Sequence, residues 1–171
     1  MFTRDDRNHY KSWSGLKKRL EESVCAELSG RITYFLTYFN EVHNAYGRAS
    51  VRLDGEETCS FSWYDSYVQE NDVNEEYKCT GEWNFSSPAL VEKWKRDGTF
   101  SEFDFTAAAT AFLNMSIADA LASDEPLIRL FAILDKRVGK RTLKRIYDDG
   151  AWREYPDWLK RFYLLRFEEN C

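Results

Sequence analysis

Residues 123–146 read SDEPLIRLFAILDKRVGKRTLKRI. Ser123 or Asp124 can cap a helix, and Pro126 fits a first turn, where its missing N–H costs no hydrogen bond. Leu127, Leu130, Phe131, Leu134 and Val138 recur at three- and four-residue spacing, which puts them on one face. The period does not pass Gly139, because at about 100° per residue Leu143 falls on roughly the opposite face from Leu134. The spacing therefore predicts a helix from Pro126 that breaks near Gly139, then a second segment docking through Leu143, Ile146 and Tyr147. The same stretch carries the densest positive charge in the chain, at Lys136, Arg137, Lys140, Arg141, Lys144 and Arg145.

Downstream, Asp148-Asp149-Gly150 reads as a turn, and Tyr155, Trp158, Leu159, Phe162 and Leu165 form a last amphipathic helix. Upstream, three helix starts follow one another. Ser116 with Asp119 and Ser101 with Asp104 have capping spacing, and Ser87-Pro88 places proline at a first helical position, with Gly98 as the stop. Phe105, Ala108, Ala109, Phe112 and Leu113 fit the helical template closely. At the other end, Trp13, Leu16, Leu20, Val24 and Leu28 give a helical stripe capped by Ser12 or Ser14 and closed by Ser29-Gly30. Lys17, Lys18 and Arg19 near its start oppose the helix dipole, and Glu21 and Glu22 are placed to offset them.

Between these helices lies strand sequence. Arg31 to Phe39 is rich in Ile, Thr, Tyr and Phe, with apolar residues on both parities, which reads as a central strand or one covered on both faces. Tyr46–Leu53 and Glu57–Trp63 read as a hairpin around Asp54-Gly55. A two-residue turn would set Leu53 opposite Glu56 and Val51 opposite Thr58, mixing core with polar positions. A slip of one residue sets Val51 opposite Cys59, Ala49 opposite Phe61, Ser50 opposite Ser60 and Arg52 opposite Thr58. One residue of slip flips every side chain, so the second register is predicted, with a three-residue loop or a bulge. The sum is an α+β fold: an N-terminal helix, a three-stranded antiparallel meander, then about five helices packed as one domain over 13–171. Residues 1–12 read as a polar extension.

The chain has 171 residues, 43% hydrophobic and 16% aromatic, enough for one domain with a real core. Its net charge of -5 is uneven: acids from Asp54 to Glu76 meet no Lys or Arg before Lys78, and the run at 136–145 is the counterweight. The N-terminus has no apolar segment of a secretory signal, and no run is long enough to span a bilayer. Cys25, Cys59, Cys79 and Cys171 form no CxxC pair, which favours reduced thiols in a cytoplasm.

At this point a resemblance is visible. Trp13-Ser-Gly-Leu-Lys-Lys18, Ser29-Gly-Arg-Ile32, Gly47-Arg48 with Leu53-Asp-Gly-Glu56, Phe103-Asp-Phe105, Leu113-Asn-Met-Ser-Ile117 and Ala120-Leu-Ala-Ser-Asp124 occur in this order. Ile128-Arg129 and Leu134-Asp-Lys-Arg-Val-Gly-Lys-Arg-Thr-Leu143 complete the set, the last block being the most specific. Together they resemble an uncharacterised bacterial family of small single-domain proteins, from Trp13 onward. The resemblance implies a bacterial, cytoplasmic protein; no reaction, cofactor or functional residue comes with it.

Function is read from the residues themselves. No phosphate loop, dinucleotide fingerprint, nucleophile elbow or HExxH occurs. His9 and His43 are too few and too isolated for a metal centre, and Cys59 near His43 falls on the predicted core face, where a thiol is an inert small hydrophobe. No catalytic residue, metal ligand or cofactor site is assigned. Two surfaces remain. Trp63, Tyr64, Tyr67, Tyr77 and Trp83 interleave with acids, as in a protein interface, although covering the core is the weightier reading. Lys136, Arg137, Lys140, Arg141, Lys144 and Arg145 have spacings that can share a helical face toward phosphate; the alternative is a solvated helix end paired with Asp135, Asp148 or the acidic stretch. The sequence pI of about 5.2 weighs against a nucleic-acid module. The expectation is a non-catalytic interaction protein with a protein partner, ahead of a nucleic-acid or phospholigand binder and ahead of an enzyme of unrecognised type.

Overall fold

A computed structural model describes residues 12–38, 47–62 and 88–169. Ser12 opens α1 (Trp13–Ser23), its hydroxyl accepting the Gly15 N–H at 3.3 Å. Leu16 and Leu20 face inward, while Lys17 and Lys18 lie 3.6 and 3.9 Å from Glu21 and Glu22, one turn on. Val24 and Leu28 are buried as the stripe requires, but the helix stops at Ser23, short of the expected Ser29-Gly30. Another segment has taken its backbone. The Cys25 N–H donates to the Leu134 carbonyl at 2.9 Å and the Ser23 carbonyl accepts from the Lys136 N–H at 2.8 Å, an antiparallel bridge between Val24 and Asp135.

The sheet is an antiparallel meander of β1 (Ile32–Tyr38), β2 (Gly47–Leu53) and β3 (Glu56–Ser62), with β2 in the middle. Among the described residues β1 is thus an edge strand and β2 the central one. Its inward residues Ile32, Tyr34 and Leu36 are buried, and Phe35 on the other face is covered by the Arg52 guanidinium, 4.2 Å from the ring centre. Among the described residues, the second apolar parity in this strand is met by a cation–π cover.

In the hairpin both demands of the sequence are met. Asp54 and Gly55 have φ of 53° and 86°, the left-handed pair that a tight two-residue hairpin turn needs. That turn sets Leu53 opposite Glu56 and Arg52 opposite Glu57, so the expected Arg52–Thr58 pairing does not form. Past it, Val51 faces Cys59, Ser50 faces Ser60 and Ala49 faces Phe61, as the core pattern demands. The residue left over is Thr58, a bulge that reconciles turn chemistry with side-chain alternation. Arg31 fastens this turn, donating to both Asp54 carboxylate oxygens at 2.9 Å and to Glu169 at 2.5 Å. Its guanidinium holds the Asp54 carboxyl below the usual carboxylate range.

The helices are α2 (Pro88–Asp97), α3 (Glu102–Leu113), α4 (Ile117–Ala122), α5 (Pro126–Leu134), α6 (Lys140–Asp149) and α7 (Asp157–Glu168), with a 3-10 turn at Ala151–Glu154. Six helices therefore follow the sheet among the described residues, where about five were expected. Ser101 and Asp104 form the predicted reciprocal cap of α3, and Ser116 accepts the Asp119 N–H at 3.1 Å to start α4. At α5 the cap residue is Glu125 with no side-chain bond; Ser123 instead accepts the Glu125 N–H at 3.2 Å. Asp148 and Asp149 belong to the last turn of α6, which Gly150 closes with φ of 77°.

Every residue of α5 except Arg129 is buried, so this helix is the centre of the core and not a one-faced stripe. It packs against α3, α4 and α7, while α3 also meets α1 and the sheet. Phe131 is the hub, with ring centres of Tyr34, Phe105 and Phe112 at 5.8, 5.4 and 5.7 Å, and Phe61 stacks on Phe105 at 5.7 Å. Polar links also join sheet and helices: the Gly47 N–H donates to the buried Glu102 carboxylate at 3.1 Å, and the Tyr34 N–H to Glu21 of α1 at 3.3 Å. A methyl at Gly47 would lie 2.6–2.8 Å from the Glu102 side chain. Gly47→Ala should therefore destabilise the fold by about 1–3 kcal/mol through overpacking, measured by denaturant midpoint.

Candidate functional site

The basic run begins where α5 ends. Asp135 is only 1% exposed, and its carboxylate accepts from the Arg137 backbone N–H (2.7 Å), Nε (2.9 Å) and Nη2 (3.1 Å). The Arg137 guanidinium also lies 5.4 Å from the Phe112 ring centre. Lys136 points back to α1, its Nζ donating to the Glu22 carbonyl at 2.7 Å, where a cation satisfies the open end of a helix. Val138 is buried, and its carbonyl accepts from Nη2 of the buried Arg166 at 3.0 Å. Two of the six predicted site residues are thus fold-building. They do not share a face with the others, because they precede the helix.

Asp135→Ala should cost about 2–4 kcal/mol, since it removes the buried acceptor of three Arg137 donors. Arg137 is half exposed and can regain water, which keeps the loss below that of a fully buried pair. Chemical denaturation of the variant measures it.

Held in this way, residue 139 launches α6 outward. Leu143 is buried, Ile146 half-buried, and Lys140, Arg141, Lys144 and Arg145 are exposed. At about 100° per residue these four occupy an arc of about 140° on the side turned from the core. Gly139 supplies no side-chain cap, and the first turn of α6 contains no acid but begins with Lys140 and Arg141. Lys144 pairs with the exposed Asp148 at 3.1 Å, and Lys140, Arg141 and Arg145 form no ion pair among the described residues. Glu27 is an acid within electrostatic reach of Lys140 at this end. Its carboxyl is held below its ordinary value by its own backbone N–H and by the charges of Arg166 and Lys140.

Beside the cations stands Tyr147, 48% exposed, although the sequence pattern had it docking with Leu143 and Ile146. Its ring leans on Trp152 (6.1 Å, 27° between planes) and on the edge of Phe167 (5.2 Å), and the Arg153 guanidinium is 5.7 Å from its centre. Composition did not single out Tyr147 or Arg153. The helical angle of Tyr147, about 60° from Lys144, was the available signal.

The predicted interface residues Trp63, Tyr64, Tyr67, Tyr77 and Trp83 lie outside the described residues, as do His9, His43, Cys79 and Cys171. Of the acidic stretch, Asp54 binds Arg31 and Glu57 binds Arg48, so this part is not spent on the basic run. Cys59 is partly buried, and burial pushes its thiol up to about 12, which leaves it protonated at neutral pH. An open cleft of about 630 Å³ between α2, α5 and α7 mixes Lys95, Asp97, Asp124, Tyr155 and Trp158. Its lining carries the acids Glu92, Asp97, Asp124, Glu154 and Asp157 against Lys95 and Arg96, with Lys95 paired to Glu125 at 3.4 Å and Asp97 to Lys93 at 3.1 Å, so it does not favour an anion.

Fold and surface define an α+β domain that displays a cationic helix face. The chain belongs to the SF0329 protein family, whose model matches residues 12–167. No curated protein and no solved structure matches it. Among the described residues no helix is long and apolar enough to cross a membrane, and no group of three His, Cys, Asp or Glu is placed to hold a metal ion.

Proposed function

We propose that this protein is a binding module, and that the exposed face of α6 receives a phosphate-bearing polyanion. The observation that carries the reading is the position of Lys140 and Arg141. They stand in the first turn of an uncapped helix, where positive charge opposes the dipole and weakens the helix. Lys136 and Arg137 show what cations in this stretch do when they serve the fold: they bind a helix carbonyl and a buried carboxylate. The α6 cations do neither, and their charge is available to a ligand whose phosphates meet open N–H groups and ammonium or guanidinium groups together.

The aromatic residues offered as a surface for a protein partner lie outside the described part. The setting we propose is a bacterial cytoplasm, with Cys25 and Cys59 as thiols. Binding of labelled inorganic polyphosphate to the native protein, followed over a salt series, tests the reading. Each neutralised phosphate on a flexible chain should contribute about -0.7 to the slope of log K against log salt, so the face predicts a slope of about -2 to -3. Binding that is absent at low salt, or indifferent to salt, would contradict it.

A further inference from the structure

We infer that the polyanion is a single-stranded nucleic acid, with Tyr147 as a stacking platform for one base while the α6 cations hold the flanking phosphates. This deepens the reading above and rests on it. Three observations meet at one place. Tyr147 is one of two large hydrophobic side chains exposed among the described residues, and it lies on the edge of the cationic arc. It is held from behind by Trp152 and Phe167, so its ring is fixed before any ligand arrives. A fixed ring loses little freedom on binding, which favours stacking. Finally, Arg153 brings a further guanidinium to both rings, 5.7 Å from Tyr147 and 5.1 Å from Trp152.

Charge alone would suit any polyanion. An aromatic ring adjoining cations suits one whose phosphates alternate with flat, unpaired π-faces, and a single strand has that chemistry. A duplex hides its base faces in the stack, so this pairing of ring and charge would not serve it. Lys140 and Lys144 are one turn apart, about 6 Å along the helix axis, and Tyr147 continues the same side of α6 for another turn. Asp148 shares the arc and is already held by Lys144, so the strand must exchange that exposed pair for phosphate contacts. Exposed pairs of this kind are weak, and the exchange is cheap.

The test compares a labelled oligothymidylate with an abasic strand of equal length, by fluorescence anisotropy on native protein, Tyr147→Ala and Tyr147→Phe. Native protein should bind the base-bearing strand about tenfold more tightly than the abasic one. Tyr147→Ala should erase that difference while leaving abasic binding unchanged, and Tyr147→Phe should keep it. Equal binding of the two strands by native protein overturns the inference even if no variant folds, and leaves the polyanion reading standing. Failure of native protein to bind either strand or polyphosphate overturns both.

Discussion

Phe131→Ala should lower stability by about 3–5 kcal/mol, the range for an aromatic ring deleted from a packed core. In a chain of this size that is a fall in melting temperature of about 10 °C. Phe131 is 1% exposed, and it is the ring on which sheet and helices converge: Tyr34 comes from β1, Phe105 and Phe112 from α3. Truncation opens a space bounded by two elements that cannot both close in, since β1 is fixed by its ladder to β2 and α3 by its cap at Ser101. The cavity should persist and the loss should sit at the upper end of the range. Thermal and denaturant melts measure it. A loss under about 1 kcal/mol would mean that α5 is not the element on which the core is built.

The paired substitution Lys140→Glu with Arg141→Glu should move stability and binding in opposite directions. Carboxylates in the first turn of α6 favour the dipole that the native cations oppose, by about 0.3–1 kcal/mol per site. The variant should therefore melt at the same temperature as native protein or slightly above it. Its affinity for polyphosphate should fall by at least a hundredfold at low salt, because two attractive charges of the face become two repulsive ones. This combination separates a ligand surface from a structural one. If binding survives, or if the variant is destabilised, Lys140 and Arg141 belong to the fold.

Much of the architecture is legible in the chain because local and global signals agree. The caps at Ser12, Ser101 and Ser116 and the stop at Gly98 form where spacing puts them. The hairpin shows why two sound rules can each be partly right. Asp54-Gly55 dictates a two-residue turn, Val51 and Ala49 dictate the core face, and Thr58 absorbs the difference. The departures have one cause in common, long-range pairing that no local pattern encodes. Val24 keeps the helical period yet forms a bridge with Asp135, and Phe35 is apolar on an outer face because Arg52 covers it.

The candidate site was half legible. Six cations could be counted, but their division into two that anchor and four that face solvent depends on where α5 ends. That end is Leu134, five residues before Gly139. It is set by the Leu134 and Lys136 backbone bonds to Cys25 and Ser23, contacts more than a hundred residues apart in sequence. Tyr147 was misread for a related reason. Its helical angle borders both the core stripe and the cationic arc, and only the packing of Trp152 and Phe167 fixes which side it serves.

The decisive measurement is a titration of isotope-labelled native protein with a short oligothymidylate, followed by amide chemical shifts in two-dimensional NMR. The account predicts shifts concentrated in residues 139–147 and at Arg153, with the amides of β1, β2 and β3 unmoved. Shifts confined to the sheet, to α1 or to the cleft between α2 and α7, with the α6 amides unchanged, would contradict it.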